Sequence, residues 1–557
     1  SFLNSGERID FVDAARYNGT SSDYGSSANW DALPDNPADS VVPTAPSGSQ
    51  NFIVEQNATL VVSSDTTSRS LGILDGTTTL TLNEDTTLTL SESENGTLFV
   101  ESGATANVES GSVTTGTAGT LDAALLEAAG TVNLSTVANL NGGANPHPVR
   151  DGSGSSRYGL VVHSGGEVTL ESGADVTVGQ PDPGTYDTNV GVRIGEGTEN
   201  GAGVLNIESG AGLTIFTDNS LESKGFFHIG DWGSTGIVNQ TGGSVTMTDG
   251  ALNLGNQGGF GTYNLSGGTL NLSGGLHSLG RNTGSRAAGS GTINLTDGTF
   301  TVSDNGAFIV GDRDDSDTDG SGLIEQSGGI FRVEGNSLLY LGGYGASTYN
   351  LSGGALEIGG SSLKGNYSSS VEPYEFNLGG GTIRVIESDL STSVDMTLVD
   401  LDPSGDGFTV SSLDTQAFDA TLSGDLSGDS VLAKLGTGTL NLSGTTDVFS
   451  ISVLEGTVAI AEGTHTVDVF HTGADSDTGS DGSLEVSGGT LNITGPTVSG
   501  ERYPAFYVGG GGTDSGKNVG TMNFSGGTIN IGEESDPSIR ADVYIGGFGG
   551  ADSEGTV

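Results

Sequence analysis

The 557-residue sequence contains no cysteine, so no disulfide staples the fold and thiol chemistry is unavailable. Basic residues are scarce: 17 Lys and Arg stand against 69 Asp and Glu, for a formal net charge of −52. The lysines are Lys224, Lys364, Lys434 and Lys517. Such a surface is a poor partner for nucleic acid or an anionic membrane. It suits high salt, a medium rich in divalent cations, or colloidal solubility. No run of 18 apolar residues occurs, which excludes a membrane-spanning helix within these residues. Hydrophobic residues make up 33% of the chain, enough for a thin core one side-chain layer across. Proline is also rare, at 13 residues.

Glycine, by contrast, is abundant at 97 residues without a G-X-Y period, so it marks turns rather than a collagen. The stretch around which the chain is organised is Tyr263–Leu272, Y-N-L-S-G-G-T-L-N-L. Alternation sends Tyr263 and Leu265 inward, Asn264 and Ser266 outward, then Leu270 and Leu272 inward. The intervening glycines predict a tight turn between two strands, with a positive φ where a side chain would clash. Related copies align on Asn206, Asn239, Asn264, Asn294, Glu325, Asn350, Asn377, Asn441, Glu485 and Asn523. Most are separated by about 25–38 residues, a period typical of solenoids. A third, apolar strand ending in Gly follows in many copies, as in Phe227–Gly230, Leu252–Gly255, Phe308–Gly311, Leu339–Gly342, Phe506–Gly509 and Val543–Gly546. Three short strands per rung predict an all-β protein: a right-handed parallel β-helix, or β-solenoid, of about 17–20 rungs.

Residues 1–50 lack the repeat and carry Tyr17, Tyr24 and Trp30, which suits an irregular N-terminal cap over the first open rung. Residues 51–400 form the Gly-Gly solenoid, 401–465 a segment of different and longer unit, and 466–557 a continuation of the solenoid. Leu121–Ala129, L-D-A-A-L-L-E-A-A, reads as a short helical insertion. The residues before Val557 repeat those leading into N-x-S-G-G elsewhere, so the expectation is that the chain continues, or that an open end docks on a neighbour in a filament or lattice.

In the 401–465 segment, Leu432-Ala433-Lys434-Leu435-Gly436-Thr437-Gly438-Thr439-Leu440, followed by Gly456-Thr457-Val458, resembles the autotransporter-associated β-strand repeat of large bacterial surface and passenger proteins. The lead-in Leu413–Gly428 is similar to that of the family, whereas Thr445-Thr446-Asp447-Val448-Phe449 stands where N-T-Y-T-G is common. The close match covers about fifty residues. The resemblance implies a right-handed β-helix in a secreted or surface protein and carries no catalytic residues to transfer.

Asp315, Asp317, Asp319 and Gly320 match D-x-D-x-D-G, the first half of an EF-hand-like calcium loop. The twelfth position is Gln326, so the bidentate carboxylate is missing, and a solvated acidic turn is the simpler reading beside a calcium site. A second acidic loop spans Gly473–Ser483. N-x-S/T sequences such as Asn264-Leu265-Ser266 are glycosylation sequons in form, but the repeat generates them, and an amide ladder from rung to rung accounts for the recurring Asn better. His147, Arg150, Asp151, Arg157 and His163 form the best local candidate for catalysis, yet their spacing specifies no chemistry and a polar insertion loop explains them. His228 and His277 fall in rungs and read as structural. No H-E-x-x-H, G-x-S-x-G or P-loop occurs in the context that each motif requires.

The leading expectation is therefore a non-enzymatic, extracellular structural or adhesive protein that self-associates into a surface layer, fibre or filament and meets surface glycans. A start at Ser1 is then a mature end left by signal cleavage. The alternatives are a carbohydrate-active β-helix enzyme (a polysaccharide lyase or hydrolase), a glycan-binding module, or the passenger of an autotransporter. Calcium is the only cofactor suggested.

Overall fold

The computed structural model describes residues 14–17, 30–32, 51–90, 97–111, 117–140, 157–179, 190–197, 201–216, 226–281, 289–312, 320–343, 345–367, 373–401, 408–473, 480–495, 506–509, 518–532, 543–546 and 554–557. Among these the regular structure is entirely strand, and the fold is a parallel β-solenoid. The chain divides into two compact units. The first holds Ser1–Asn294, Gly298–Phe300 and Gly306–Gly322, and the second Leu295–Asp297, Thr301–Asn305 and Leu323–Val557.

In the first unit a turn of three strands is repeated in register. Thr235–Gln240, Ser244–Thr248 and Ala251–Asn256 are followed by Phe260–Ser273 and Leu276–Leu279. Asn239 pairs with Asn264, Val245 with Leu270 and Leu254 with Leu279, all in parallel. Alternation then fixes the core: Val238, Tyr263, Leu265, Val245, Leu270, Leu272, Leu252 and Leu254 are buried. Stacked turns about 4.8 Å apart bury identical faces against each other, so one apolar pattern serves every turn.

The Gly-Gly pair does not break the strand. Phe260–Ser273 runs continuously through it, still paired with both preceding strands. Gly268 has φ +78°, the left-handed conformation that turns the corner. Gly267 lies so close to the preceding turn that a Cβ there would sit 2.5 Å from the Thr241 carbonyl oxygen. A Cβ on Gly268 would sit closer still, 2.2 Å from the Gly243 carbonyl oxygen, so both glycines allow close stacking and the second also allows the bend.

At the N-terminal end, Ala14–Tyr17 pairs in parallel with Asn51–Val54 and antiparallel with Trp30–Ala32. The antiparallel pair covers the edge of the first parallel turn. The expected helix at Leu121–Ala129 is instead two strands, Thr120–Ala123 and Leu125–Ala128. Each is held on both sides, the first by Thr87–Leu90 and Val137–Leu140, the second by Thr97–Val100 and Arg157–His163. Leu121, Leu126 and Ala128 are buried inward. Pairing with two neighbours outweighs a helix propensity worth only tenths of a kcal/mol per residue.

In the second unit one face is a seven-stranded sheet from Leu390–Thr392 to Glu554–Thr556. Pairing continues across the boundaries drawn at 400 and 465: Thr382–Val385 pairs with Val410–Asp414, and Thr446–Val453 with Thr464–Thr472. The 401–465 segment does not have the longer unit expected of it. Leu413, Lys434, Val453 and Thr472 occupy one column of successive turns, a repeat of about 20 residues. Short corners replace the Gly-Gly arms, which shortens each turn.

Candidate functional site

Outward positions of the strands carry ladders of hydrogen bonds from turn to turn. In the first unit Asn206 Nδ2 donates to Glu167 Oε1 at 2.6 Å, Asn239 to Asn206 at 3.0 Å, Asn264 to Asn239 at 2.8 Å and Asn294 to Asn264 at 2.7 Å. In the second, Asn350 donates to Glu325 at 2.9 Å and Asn377 to Asn350 at 2.8 Å. A shorter ladder has Asn139 donating to Asp122 at 2.6 Å. These three begin on a carboxylate, whereas Asn133 donates to Asn107 and Asn530 to Asn492, each at 2.9 Å, without one. A carboxylate only accepts, so it orients the first amide and, through it, all that follow. Among the sequons, Asn239, Asn264, Asn294 and Asn350 each donate an amide N–H to the ladder.

A second, buried set of polar groups lines the third face of the first unit. Glu127 accepts at 2.7 Å from His163 Nε2. One turn on, Arg193 donates to Glu196 at 2.5 Å and to the Tyr158 hydroxyl, lies 3.1 Å from Asp231 and stands 4.4 Å over the Tyr158 ring. Asp231 also meets His228 Nδ1 at 3.2 Å and accepts from Asn256 Nδ2 at 2.9 Å. Ser278 donates to Asn253 at 2.8 Å, and Arg281 stands 3.9 Å from Asp312. Two columns account for this: Arg193, His228, Asn253 and Ser278 in mid-strand, and Glu196, Asp231, Asn256, Arg281 and Asp312 just after the strand-ending Gly.

Burial and pairing compete at these groups. For His163 burial opposes the charge, but the Glu127 hydrogen bond and the Glu127 and Glu196 charges win, and its pKa is raised. For Asp231 burial would raise the pKa; His228, Arg193 and Asn256 together hold it below the usual carboxylate value. Arg193 is 5% exposed and Asp231 2%, so a charged line is closed off from water and compensated by its own partners. Chemically it joins successive turns rather than presenting groups to a substrate.

Two further buried devices sit at corners. Gln240 is fully buried; its Oε1 accepts from Tyr263 OH at 2.6 Å and its Nε2 donates to the Thr269 carbonyl at 3.0 Å. Gln326 repeats this with Tyr349 at 2.5 Å and the Ala355 carbonyl at 3.0 Å. In the segment resembling the autotransporter repeat, Lys434 is fully buried and its ammonium donates to the carbonyls of Leu435, Gly436 and Glu455 at 2.9, 2.6 and 3.0 Å. Three donors meet three acceptors. The lysine of that motif is a corner clamp.

Of the residues singled out from sequence, Asp315, Asp317 and Asp319 lie outside the described residues, as do His147, Arg150 and Asp151. Gln326, the twelfth position of the calcium-like loop, points into the core against Tyr349 and is unavailable to an ion. Arg157 and His163 share the strand Arg157–His163, and His163 belongs to the buried polar line. His228 belongs to it too. His277 is fully buried, accepting at Nδ1 from the Leu252 amide at 3.1 Å and donating from Nε2 to the Gly274 carbonyl at 2.7 Å, a structural role. Among the described residues no three His, Asp or Glu side chains are arranged to hold a metal ion. The polar line was missed because its residues differ from turn to turn. The signal is present in V-R-I-G-E, F-H-I-G-D and L-N-L-G-N, where polar residues recur at the middle of the third strand and just after its glycine. No protein-family model matches the chain, and no curated protein matches it.

Proposed function

We propose that this chain is a structural, extracellular β-solenoid that builds a cell-surface layer or fibre and associates with copies of itself. The observation carrying this reading is the use made of outward polar side chains. The Asn ladders and the Arg332–Glu357–Arg384–Asp414 column, with contacts of 2.6, 2.8 and 3.4 Å, spend their hydrogen bonds on the adjacent turns. Such a surface resists unravelling and suits a scaffold whose task is to persist. The likeness of Leu432–Leu440 to bacterial surface repeats points the same way, and the acidic balance fits exposure to a salt-rich medium.

The test is surface labelling and protease shaving of intact source cells, followed by electron microscopy and sedimentation of the released material. Accessible protein in regular assemblies is the expected result. Protein found only inside the cell, or only as dispersed monomer in native salt and calcium, refutes the proposal. Release of reducing or unsaturated sugar from acidic polysaccharides favours the carbohydrate-active alternative.

A further inference from the structure

The second unit carries an apolar patch on its outer surface. Phe408 and Phe449 stack with ring centroids 3.9 Å apart and planes at 20°. Leu401, Phe408 and Val410 are 52%, 47% and 48% exposed. Asp400 accepts from the Thr409 amide and hydroxyl, both at 3.0 Å, and the Leu401 amide donates to the Thr409 hydroxyl at 2.8 Å. The patch is thus held in place by the solenoid rather than hanging from a free loop.

Its rim has one sign of charge. Pairing of Thr446–Val453 with Thr464–Thr472 aligns Val448 with Val467 and Ser450 with Val469, which sets Asp468 beside Phe449 one turn on. In the preceding turn the register shift between Gly428 and Val431 places Asp429 at the same corner. Asp447 lies two residues before Phe449 on the same strand. The carboxylates are close enough to feel each other: Asp468 is half-buried, and burial, then Asp447 and Asp429, raise its pKa against the opposing hydrogen bond from Thr494 at 2.5 Å. Crowded carboxylates beside aromatic faces attract an organic cation with an apolar body. A second copy of this chain is ill suited to supply it, having 17 basic residues against 69 acidic ones. Within this unit Arg332, Arg384 and Lys434 are already engaged.

We infer that the patch of Leu401, Phe408, Val410 and Phe449, rimmed by Asp429, Asp447 and Asp468, docks a basic segment of another protein, in which lysine or arginine alternates with apolar side chains. The apolar residues cover the patch, and the basic ones relieve the carboxylates.

The intact chain is titrated by fluorescence anisotropy with a short labelled peptide of alternating lysine and leucine, beside versions with serine for leucine and with glutamate for lysine. Binding of the lysine–leucine peptide is expected, with Phe408→Ser and Asp447→Asn each weakening it about tenfold. Glu208→Gln, which removes one exposed charge from the other unit, is expected to leave it unchanged. Circular dichroism checks that the variants fold; both altered side chains are exposed. The inference is overturned if the peptide fails to bind, if Phe408→Ser binds as the unaltered chain does, or if the serine version binds equally well. The last outcome assigns the attraction to the general field of the acidic surface.

Discussion

Tyr263→Phe deletes one hydroxyl from a fully buried side chain, and the structure sets its cost. The hydroxyl donates at 2.6 Å to Gln240 Oε1, and burial pushes the phenol well above its ordinary pKa, so it remains a neutral donor at any practical pH. Removing it leaves Gln240 Oε1 without that donor, at about 1–3 kcal/mol. Gln240→Leu is expected to cost more, because it strands the Tyr263 hydroxyl and withdraws the Nε2 donor from the Thr269 carbonyl. Combining the two removes both halves of the buried pair, so the double variant should lie about 0.5–3 kcal/mol below the sum of the singles. Urea titration followed by tryptophan fluorescence suits the test, since the only two tryptophans, Trp30 and Trp232, belong to the same unit as the pair. Additive singles, or a Tyr263→Phe variant as stable as the parent, would show that the pair contributes nothing beyond its apolar surface.

Leu270→Asp should cost at least about 3 kcal/mol by placing a carboxylate in the core, whereas Thr299→Asp, on a half-buried outward position, should cost under about 1 kcal/mol; equal shifts in urea midpoint would refute the facing assignment. Burial draws Lys434 down to about 8 against the pull of Glu455, Asp414 and Asp419. The unfolded chain then binds more protons between pH 8 and 10.5, so stability should gain across that window and lose the gain as pH falls through 8, a trend that Lys434→Met should abolish in pH-dependent melting. If Asp315, Asp317 and Asp319 hold calcium, chelation should lower the melting temperature and Asp317→Asn should remove that response; an unaltered melting curve on chelation of the parent rejects the ion. Glu167→Lys puts a donor where Asn206 needs an acceptor and should invert the amides of Asn239, Asn264 and Asn294, whereas Glu167→Gln should leave them oriented; side-chain amide NMR reads the difference, and identical spectra would refute the anchoring role.

The features legible in the sequence are those that repeat as residue identities. Alternation around Tyr263–Leu272 gave the buried faces, and recurrence of Asn gave the amide ladder, because every turn meets its neighbour in the same register. Features carried by unlike residues were not visible. Arg193, His228, Asn253 and Ser278 occupy one column, but complementarity of adjacent turns, not identity, selects them. The Leu121–Ala129 error has a related origin: helix formers at those positions are good enough strand residues once both edges are paired. The close stacking that requires glycine at both 267 and 268 depends on the distance to the preceding turn, which no local pattern expresses. Gln326 was weighed as a defective calcium ligand, when its value lies in a tyrosine 23 positions further on.

The acidic composition can be traced in part to the corners. Where a parallel turn bends, a backbone N–H loses its partner, and an aspartate one turn earlier can accept it. Asp389 accepts the Asp419 amide at 2.9 Å, and Asp419 in turn accepts the Thr439 amide at 2.7 Å. Asp395 accepts the Asp425 amide at 2.7 Å, and Asp425 the Thr445 amide at 3.1 Å. Two unit charges about 4.8 Å apart in water repel by about 0.9 kcal/mol, less than the roughly 1.5–3 kcal/mol general to a hydrogen bond with a charged partner. Longer columns would accumulate repulsion from every added turn while each turn gained only one bond. In both columns threonine replaces aspartate after two turns, which ends the run of like charges; at the first, the next turn's Thr457 amide bonds the Gly438 carbonyl instead, at 3.3 Å.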